Sequence, residues 1–214
     1  MLKNILFLFC LSLLFTKSVY SQNIEVFSFT EEELKTLKVK KIKKLTEYQI
    51  GSNANGNFLR AKAEGQASGL GKEIKINLDK TPFINITWKV ENNLNGINER
   101  SKKGHDFAAR VFVVKKTGIT ALSNRAINYV FSSNEDIGEN WNSPYTKNSI
   151  DYVLSTTKIN DNEWITVKSN VKNDFKNLHN LDVNEIDGVA ILTDTDNSKM
   201  KAVSYYQNIY FSSE

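Results

Sequence analysis

A short acidic turn near the carboxyl end of the chain offers clustered oxygen ligands from Asp194, Asp196 and Asn197. Ca²⁺ takes roughly six to eight oxygen ligands in proteins, so these three residues are candidate calcium ligands. The turn is not an EF-hand, because Lys199 stands where that loop needs Gly and Tyr205 where it needs Glu. The alternative is a turn between two strands, since Asp and Asn side chains cap their own backbone in turns.

A second group of polar residues lies at the start of one apolar run and consists of His105, Asp106 and Arg110. Asp106 and Arg110 are spaced to share one face of a strand. An arginine fork beside a carboxylate binds sugar hydroxyls or acidic substituents, although the same pair also serves as a structural ion pair. Arg60 and Lys62 add positive charge on another polar strand face. We therefore predict one ligand-binding cleft that contains Arg60, Lys62, Asp106 and Arg110.

Aromatic side chains are the third group of candidates. Trp141 lies in a polar stretch, 139–145, that is typical of a loop, and loops on rigid scaffolds commonly carry binding residues. An exposed ring there stacks on the apolar face of a sugar, so Trp141 is the predicted stacking residue. Tyr129 is a further predicted ligand-binding residue. Trp88 lies on the apolar face of its run and is predicted to be in the core.

Signals for catalysis are weak. In the stretch 65–69 the serine stands one place too late for a Gly-x-Ser-x-Gly elbow. The two histidines, His105 and His179, are too few for a histidine metal cluster. The Gln-Ile-His and Tyr-x-Lys-x-Gly-x-Tyr patterns of jelly-roll polysaccharide lyases are absent. We therefore expect a non-catalytic protein, and a lyase or hydrolase that uses His105, Asp106, Arg110 and Tyr129 is the alternative.

The charge balance argues against nucleic-acid binding. Removing Lys3 and Lys17 with a predicted leader leaves 26 of the 28 Lys and Arg residues, against 24 Asp and Glu. Nucleic-acid-binding domains usually show a strong basic excess. One local excess consists of Lys35, Lys38, Lys40, Lys41, Lys43 and Lys44. That run is interpreted as a solvated face, with contact to an acidic glycan or membrane surface as the functional alternative.

Hydrophobic periodicity predicts a chain made mostly of strands. Short helices are predicted at 31–38, from a capping box formed by Thr30 and Glu33, and at 172–179. Runs rich in β-branched and aromatic residues, separated by Gly, Asn, Asp or Pro, predict strands. These strands cover 46–50, 58–64, 72–78, 83–91, 107–115, 126–132, 151–157, 164–171, 186–193 and 202–211. We predict that the last two form a closing hairpin about the acidic turn at 194–198.

The predicted fold class is all-β: a two-sheet antiparallel β-sandwich of jelly-roll, galactose-binding-like type with one or two short helices. About ten strands with one polar face each favour this architecture. A concanavalin-like sandwich is the nearest alternative, whereas an immunoglobulin-like one lacks its cysteine pair.

The first residues predict export. Lys3 precedes an apolar core over 5–15 and small residues follow, which is the layout of a secretory signal peptide cleaved before Gln22. The core is too short to span a membrane. Cys10, the only cysteine, falls inside this leader, so the mature chain has no disulfide. We predict a signal peptide at 1–21, a lead-in with a short helix at 22–45, and the β-sandwich domain at 46–214. The predicted location is periplasmic or extracellular.

A set of short motifs in a fixed order carries a family resemblance. They are Phe58-Leu59-Arg60-Ala61, Ala67-Ser68-Gly69-Leu70, Trp88-Lys89-Val90, Lys103-Gly104-His105-Asp106, Ala109-Arg110-Val111, Asn128-Tyr129-Val130-Phe131-Ser132-Ser133, Asp194-Thr195-Asp196-Asn197 and Tyr205-Tyr206. With them the chain resembles, from about 46 to 211, the uncharacterised family of exported bacterial proteins called domain of unknown function 3047. Members often have two aspartates where this chain has His105-Asp106. The resemblance implies the extent of one domain and a set of candidate positions.

Together these patterns predict an exported β-sandwich that binds a glycan or cell-envelope component. The sequence gives no signal for an oligomeric state. Two alternatives stay open at this point: a carbohydrate-active enzyme, and a structural or partner-binding envelope protein in which the same residues stabilise the sheets.

Overall fold

A computed structural model describes residues 22–214; the predicted leader, 1–21, lies outside the described residues. These described residues contain two helices, α1 (Glu31–Thr36) and α2 (Val171–His179), and a 3₁₀ turn spans Ala121–Ser123. The strands of residues 22–214 are β1 (Asn23–Phe27), β2 (Lys38–Lys41), β3 (Glu47–Asn53), β4 (Gly56–Glu64), β5 (Ala67–Asn77), β6 (Phe83–Asn92), β7 (Ala109–Lys115), β8 (Arg125–Ser132), β9 (Asn140–Ser143), β10 (Thr146–Thr156), β11 (Ile165–Asn170), β12 (Glu185–Asp194) and β13 (Lys201–Ser212). No helix within 22–214 has the length and apolar character needed to cross a bilayer.

The strands form two sheets packed face to face. The first sheet has the order β11-β6-β13-β4-β3, and β1 pairs with β13 beyond the end of β4. The second sheet has the order β2-β5-β12-β7-β8-β10-β9. The predicted β-sandwich is therefore confirmed. Its strand pairs are antiparallel except for β8 and β10, which run parallel because the chain passes through β9 between them.

The predicted closing hairpin is wrong in its pairing. Its two strands exist as β12 and β13, but β12 lies in the centre of the second sheet and β13 in the centre of the first. The acidic turn between them therefore carries the chain from one sheet to the other. Turn chemistry predicts that the chain reverses, but it does not determine which sheet the next strand joins.

Side chains that alternate along the strands fill the space between the sheets. The large side chains with less than 2 % exposure include Trp88, Tyr129, Tyr206, Phe131 and Phe211. Burial of each such side chain contributes about 1.5–3 kcal/mol. The predicted core position of Trp88 is confirmed, and its indole Nε1 donates to Ser155 Oγ at 2.9 Å.

The lead-in segment is built into both sheets. β1 pairs with β13, and β2 forms the edge of the second sheet beside β5. Between them, Thr30 Oγ1 accepts from Glu33 N at 3.1 Å, which is half of the predicted capping box. The Glu33 carboxylate accepts from Ser28 N at 2.7 Å and Phe29 N at 2.9 Å. Residues 22–45 are thus part of the sandwich and not a separate lead-in.

Candidate binding groove

A groove runs across the outer face of the second sheet, the face turned away from the core. Strand register places rows of residues side by side on this face. One row is Lys40, Gly69, Leu192, Arg110 and Val130. The adjacent row is Lys38, Gly71, Ala190, Phe112 and Asn128. Two cavities of about 490 and 540 Å³ open along these rows and share Lys40, Ile42, Phe112 and Leu192. We call them together the second-sheet groove.

The floor of the groove is low because β5 and β12 carry small residues there. A Cβ added to Gly71 would meet Lys38 O at 3.7 Å and Ala190 Cβ at 3.8 Å, both ordinary contacts. Packing therefore does not require a glycine at this position. A glycine in the interior of a strand weakens the sheet and often marks a place where a ligand comes close to the backbone. Gly71 leaves space that a side chain would otherwise fill.

Arg110 lies at the polar end of the groove. It is 3 % exposed, and its Nη2 donates to Asp194 Oδ1 at 2.6 Å and Oδ2 at 2.5 Å. Burial acts to lower the pKa of Arg110, but the charges of Asp194 and Asp151 outweigh it and raise that pKa. The guanidinium is therefore held charged. Its Nε is buried without a hydrogen-bond partner among residues 22–214, and Phe112 packs beside it with its ring centroid 5.3 Å from Cζ.

Beside Arg110, at the polar end of the groove, buried side chains form a hydrogen-bonded network. His105 Nε2 lies 2.7 Å from Asp151 Oδ2, and Asn128 Nδ2 donates to Asp151 Oδ1 at 2.8 Å. The same Asn128 amide group donates to Ser149 Oγ at 2.8 Å. The groove wall is completed by Tyr145, which is 56 % exposed. These contacts hold the donors and acceptors of the groove in fixed positions, as ligand recognition requires.

The acidic turn closes the same end. The Asp106 carboxylate accepts from Asn197 N at 3.2 Å, Asn197 Nδ2 at 2.9 Å and Ser198 N at 2.5 Å. One oxygen each from Asp106, Asp194 and Asp196 lie within 4.8 Å of one another. Asp194 and Asp196 of the predicted calcium set thus meet Asp106, and Asn197 lies beside them because its backbone and side-chain N–H groups donate to Asp106. Arg110 compensates the charge of Asp194. The calcium site itself stays a prediction.

Arg110 pairs with Asp194 and not, as predicted, with Asp106. Asp106 precedes β7 in a loop and binds the turn after β12 instead of sharing a strand face with Arg110. Arg110 lines the larger cavity, whereas Asp106 is fully buried and holds the turn that carries Asp196 and Asn197. Arg110, Asp194, Asp196, Asn197 and His105 all line the larger cavity.

Arg60 and Lys62 lie far from this groove, contrary to the predicted shared cleft. They are on β4, which belongs to the first sheet, whereas Arg110 is on β7 of the second. Lys62 Nζ pairs with Glu47 Oε2 at 3.3 Å. Tyr129 is also separate, because its ring is fully buried between the sheets and its hydroxyl donates to Asp174 Oδ2 at 2.7 Å. A ligand on the surface does not reach it.

Trp141 is not in a free loop but on the edge strand β9. Its half-buried ring stacks on Phe107 with centroids 6.5 Å apart, and the Arg100 guanidinium lies 4.7 Å from its ring centroid. Phe107 and Arg100 therefore cover the Trp141 ring that was predicted to stack on a sugar. Trp141 therefore supports the loop beside the groove and does not line the larger cavity.

Several groove residues carried no functional interpretation in the sequence. They are Gly69, Gly71, Phe112, Asn128 and Ile42. The glycines were a usable signal: a strand that continues through two glycines indicates close approach to the backbone. Phe112 alternates with buried Val111 and Val113, so its outward direction followed from strand periodicity.

Solved structures with the same architecture include a carbohydrate-binding module. The family 30 carbohydrate-binding module of the cellulosomal cellulase Cel9D-Cel44B of Clostridium thermocellum matches with a TM-score of 0.52 and 8% identity, covering 90% of this chain and 98% of that one. A cellulase derived from Cel12A of Rhodothermus marinus matches with a TM-score of 0.48 and 8% identity, covering 90% and 99%. At 8% identity, the match to the carbohydrate-binding module shows a shared fold alone.

Sequence comparison with curated proteins finds no match. A family model described as "Protein of unknown function (DUF3047)" matches residues 32–210. The match includes strands of both sheets, but not β1, and every residue that lines the second-sheet groove. The chain belongs to the DUF3047 family.

Proposed function

We propose that this chain is an exported, non-catalytic module that binds a glycan or other cell-envelope component in the second-sheet groove. The observation that carries the proposal is Arg110: a buried, charged guanidinium at a cavity of about 540 Å³ with an Nε–H that has no partner within residues 22–214. A buried donor without a partner costs about 1–3 kcal/mol. The buried charge attracts hydroxyl oxygens placed in the cavity, although Nε itself has almost no exposed surface and is reached only after a neighbouring side chain moves.

The rest of the groove supports the same chemistry. Phe112 offers an apolar ring for the apolar face of a sugar, and Asn128, Ser149 and Tyr145 offer polar groups along the wall. The shared fold with a carbohydrate-binding module agrees with this interpretation by analogy only, because fold does not fix function.

Binding to a panel of polysaccharides tests the proposal. Residues 22–214 are titrated with soluble glycans, and the same samples are assayed for released sugar ends. We expect binding without release. Phe112→Ala should weaken glycan affinity at least tenfold, which corresponds to a loss of about 1.4 kcal/mol in binding free energy. Trp164→Ala, which removes a partly exposed aromatic ring beside the first sheet, is the control and should bind as the parent protein does. Released sugar ends would establish an enzyme instead.

A partner-binding role is the second candidate, and one observation favours it. Phe58, Trp164 and Tyr205 form an aromatic cluster on the outer face of the first sheet, with ring centroids 5.6–5.9 Å apart. Trp164 is 36% exposed there. If Trp164→Ala abolished recognition of an envelope component while Phe112→Ala left it intact, this face and not the groove would be the binding surface.

A further inference from the structure

We infer that the ligand of the second-sheet groove is an anionic glycan, and that Lys40 and Lys41 bind its carboxylate or sulfate groups. This inference rests on the proposed function. It starts from the edge strand β2, where the lysine run of the sequence meets the groove. Lys40 and Lys41 line the larger cavity, and Lys38 and Lys40 line the smaller one.

Lys40 and Lys41 differ in their pairing from four other lysines of the second sheet. Lys38, Lys72, Lys75 and Lys115 each form an ion pair, with Glu73, Glu33, Glu185 and Asp187 respectively. Lys40 and Lys41 form none with any residue in 22–214, and both are exposed. Their charges are therefore uncompensated at the groove. Unpaired charges of one sign along a cleft focus its field and raise the local concentration of the opposite ion.

The acidic side chains of the groove do not cancel this field, because most of them have partners. Asp194 is held by Arg110, and Asp151 by His105 and Asn128. Asp196 lines the same cavity as Lys40 and Lys41 and forms no ion pair within 22–214, so two lysines face one uncompensated carboxylate there. The groove thus has a positive rim at β2, and an anionic group placed there gains charge-assisted hydrogen bonds that a hydroxyl does not.

The apolar floor next to the lysines favours a ligand in which the anionic group is attached to a larger ring. Gly71, Ala190, Val114 and Phe112 line an apolar cavity of about 490 Å³, and Ile42 contributes a side chain that is 56% exposed. A free inorganic anion would leave this apolar surface unused. A sugar ring with an acidic substituent covers the floor with its apolar face and directs the acid toward Lys40 and Lys41.

Matched polysaccharide pairs test the inference. Polygalacturonate is compared with fully methyl-esterified pectin, and dextran sulfate with dextran, because each pair differs mainly in charge. We expect residues 22–214 to bind the acidic member of at least one pair at least tenfold more tightly, with affinity falling as salt is raised from 50 to 300 mM. Which pair shows the effect distinguishes carboxylate from sulfate. The double variant Lys40→Ala/Lys41→Ala should lose about fivefold to thirtyfold in affinity for that member.

Two variants serve as controls. Lys80→Ala/Lys168→Ala removes the same charge from exposed lysines away from the groove and should bind normally. Lys40→Arg/Lys41→Arg keeps the charge and should retain binding. Equal weakening by both alanine pairs would show general charge attraction and overturn the inference. Equal affinity for charged and neutral members would overturn it while leaving the proposed function intact. Failure to bind any of the four polysaccharides would contradict both.

Discussion

The role of Arg110 could be predicted from the sequence, but its ion-pair partner could not. Its type and its place at the start of a strand indicated a binding or ion-pairing role, and the structure places it in the groove. Its partner was mispredicted because Asp194 lies 84 residues away in sequence. Spacing along a strand reveals neighbours at i and i+2 or i+4, but it does not reveal a residue on an adjacent strand that arrives later in the chain.

Arg110→Ala is expected to destabilise the fold strongly, because it leaves the buried Asp194 carboxylate without its counter-charge. Removing one partner of a buried ion pair costs about 3–5 kcal/mol. Urea denaturation measures the free energy of unfolding. Arg60→Ala is the control, because Arg60 has no buried counter-charge within 22–214: it reaches Gln49 Oε1 at 3.5 Å and the Tyr205 hydroxyl on the outer face of the first sheet. This substitution should change stability by less than about 0.5 kcal/mol. Similar losses for both variants would mean that the Arg110–Asp194 pair is not structurally important.

At the scale of elements, most strands followed from alternation, but β5 did not begin where it was predicted. The expected start was residue 72, whereas the strand runs from Ala67. The predicted bounds left out Gly69 and Gly71, and glycine is disfavoured in strand interiors. Here the neighbours β2 and β12 hold the glycine backbone in the sheet, and the missing side chains open the groove. Pairing of β5 with strands on both sides therefore outweighs the low strand propensity of its glycines.

Gly71→Val tests whether that open floor has a function. The added side chain points into the groove, where the nearest atoms to a new Cβ are 3.7 Å away or more. We expect stability to stay equal or to rise by up to about 1 kcal/mol, because valine favours strands and glycine does not. Glycan affinity should fall at least tenfold, with a smaller loss for Gly71→Ala. Thermal unfolding and titration with the bound polysaccharide measure the two effects. Undiminished affinity in Gly71→Val would place the ligand elsewhere.

Helix α1 provides a pH-dependent prediction through Glu33. Burial acts to raise the pKa of Glu33, but hydrogen bonds from Lys72, Phe29 N and Ser28 N outweigh it and lower that pKa. The folded state therefore favours the ionised form. Its contribution to stability is present above the pKa of the unfolded chain, near 4.3, and is lost as the pH falls through the folded value.

Glu33→Gln should lower the free energy of unfolding by about 1–2 kcal/mol at pH 7, and the difference from the parent protein should shrink below about pH 4. Urea titrations between pH 3 and 7 measure it. Glu32→Gln in the same turn is the control, because Glu32 is exposed and makes no side-chain hydrogen bond within 22–214. A Glu33→Gln difference that stayed constant with pH would show that the carboxylate charge does not stabilise the helix start.

At the scale of the whole molecule, the fold class was predictable because ten strands of suitable length required two packed sheets. Three strands were missed. β1, β2 and β9 are four or five residues long and carry few buried side chains, so they have no clear periodicity. Their place in the sheets depends on longer partners. For the same reason the segment 22–45 looked like a lead-in, and only tertiary pairing shows that it belongs to both sheets.

Deleting 22–45 is therefore expected to abolish cooperative folding of 46–214. The deletion removes Val26, Phe27 and Phe29, each at most 2% exposed, and it also exposes the edge of β5. Loss of these three side chains alone costs at least about 5 kcal/mol, comparable to the whole stability of many domains. Circular dichroism during urea denaturation compares 22–214 with 46–214. A sharp transition in the shorter chain would show that the sandwich is complete without its first two strands.

The most direct measurement of the central claim is amide NMR mapping of residues 22–214 with an oligosaccharide of the polysaccharide that binds most tightly. The binding groove is predicted to lie on the outer face of the second sheet. Shifts should therefore concentrate at β2, β5, β12 and β7, including Gly71, Ala190 and Phe112. Shifts concentrated around Phe58, Trp164 and Tyr205 would move the site to the first sheet and contradict the account.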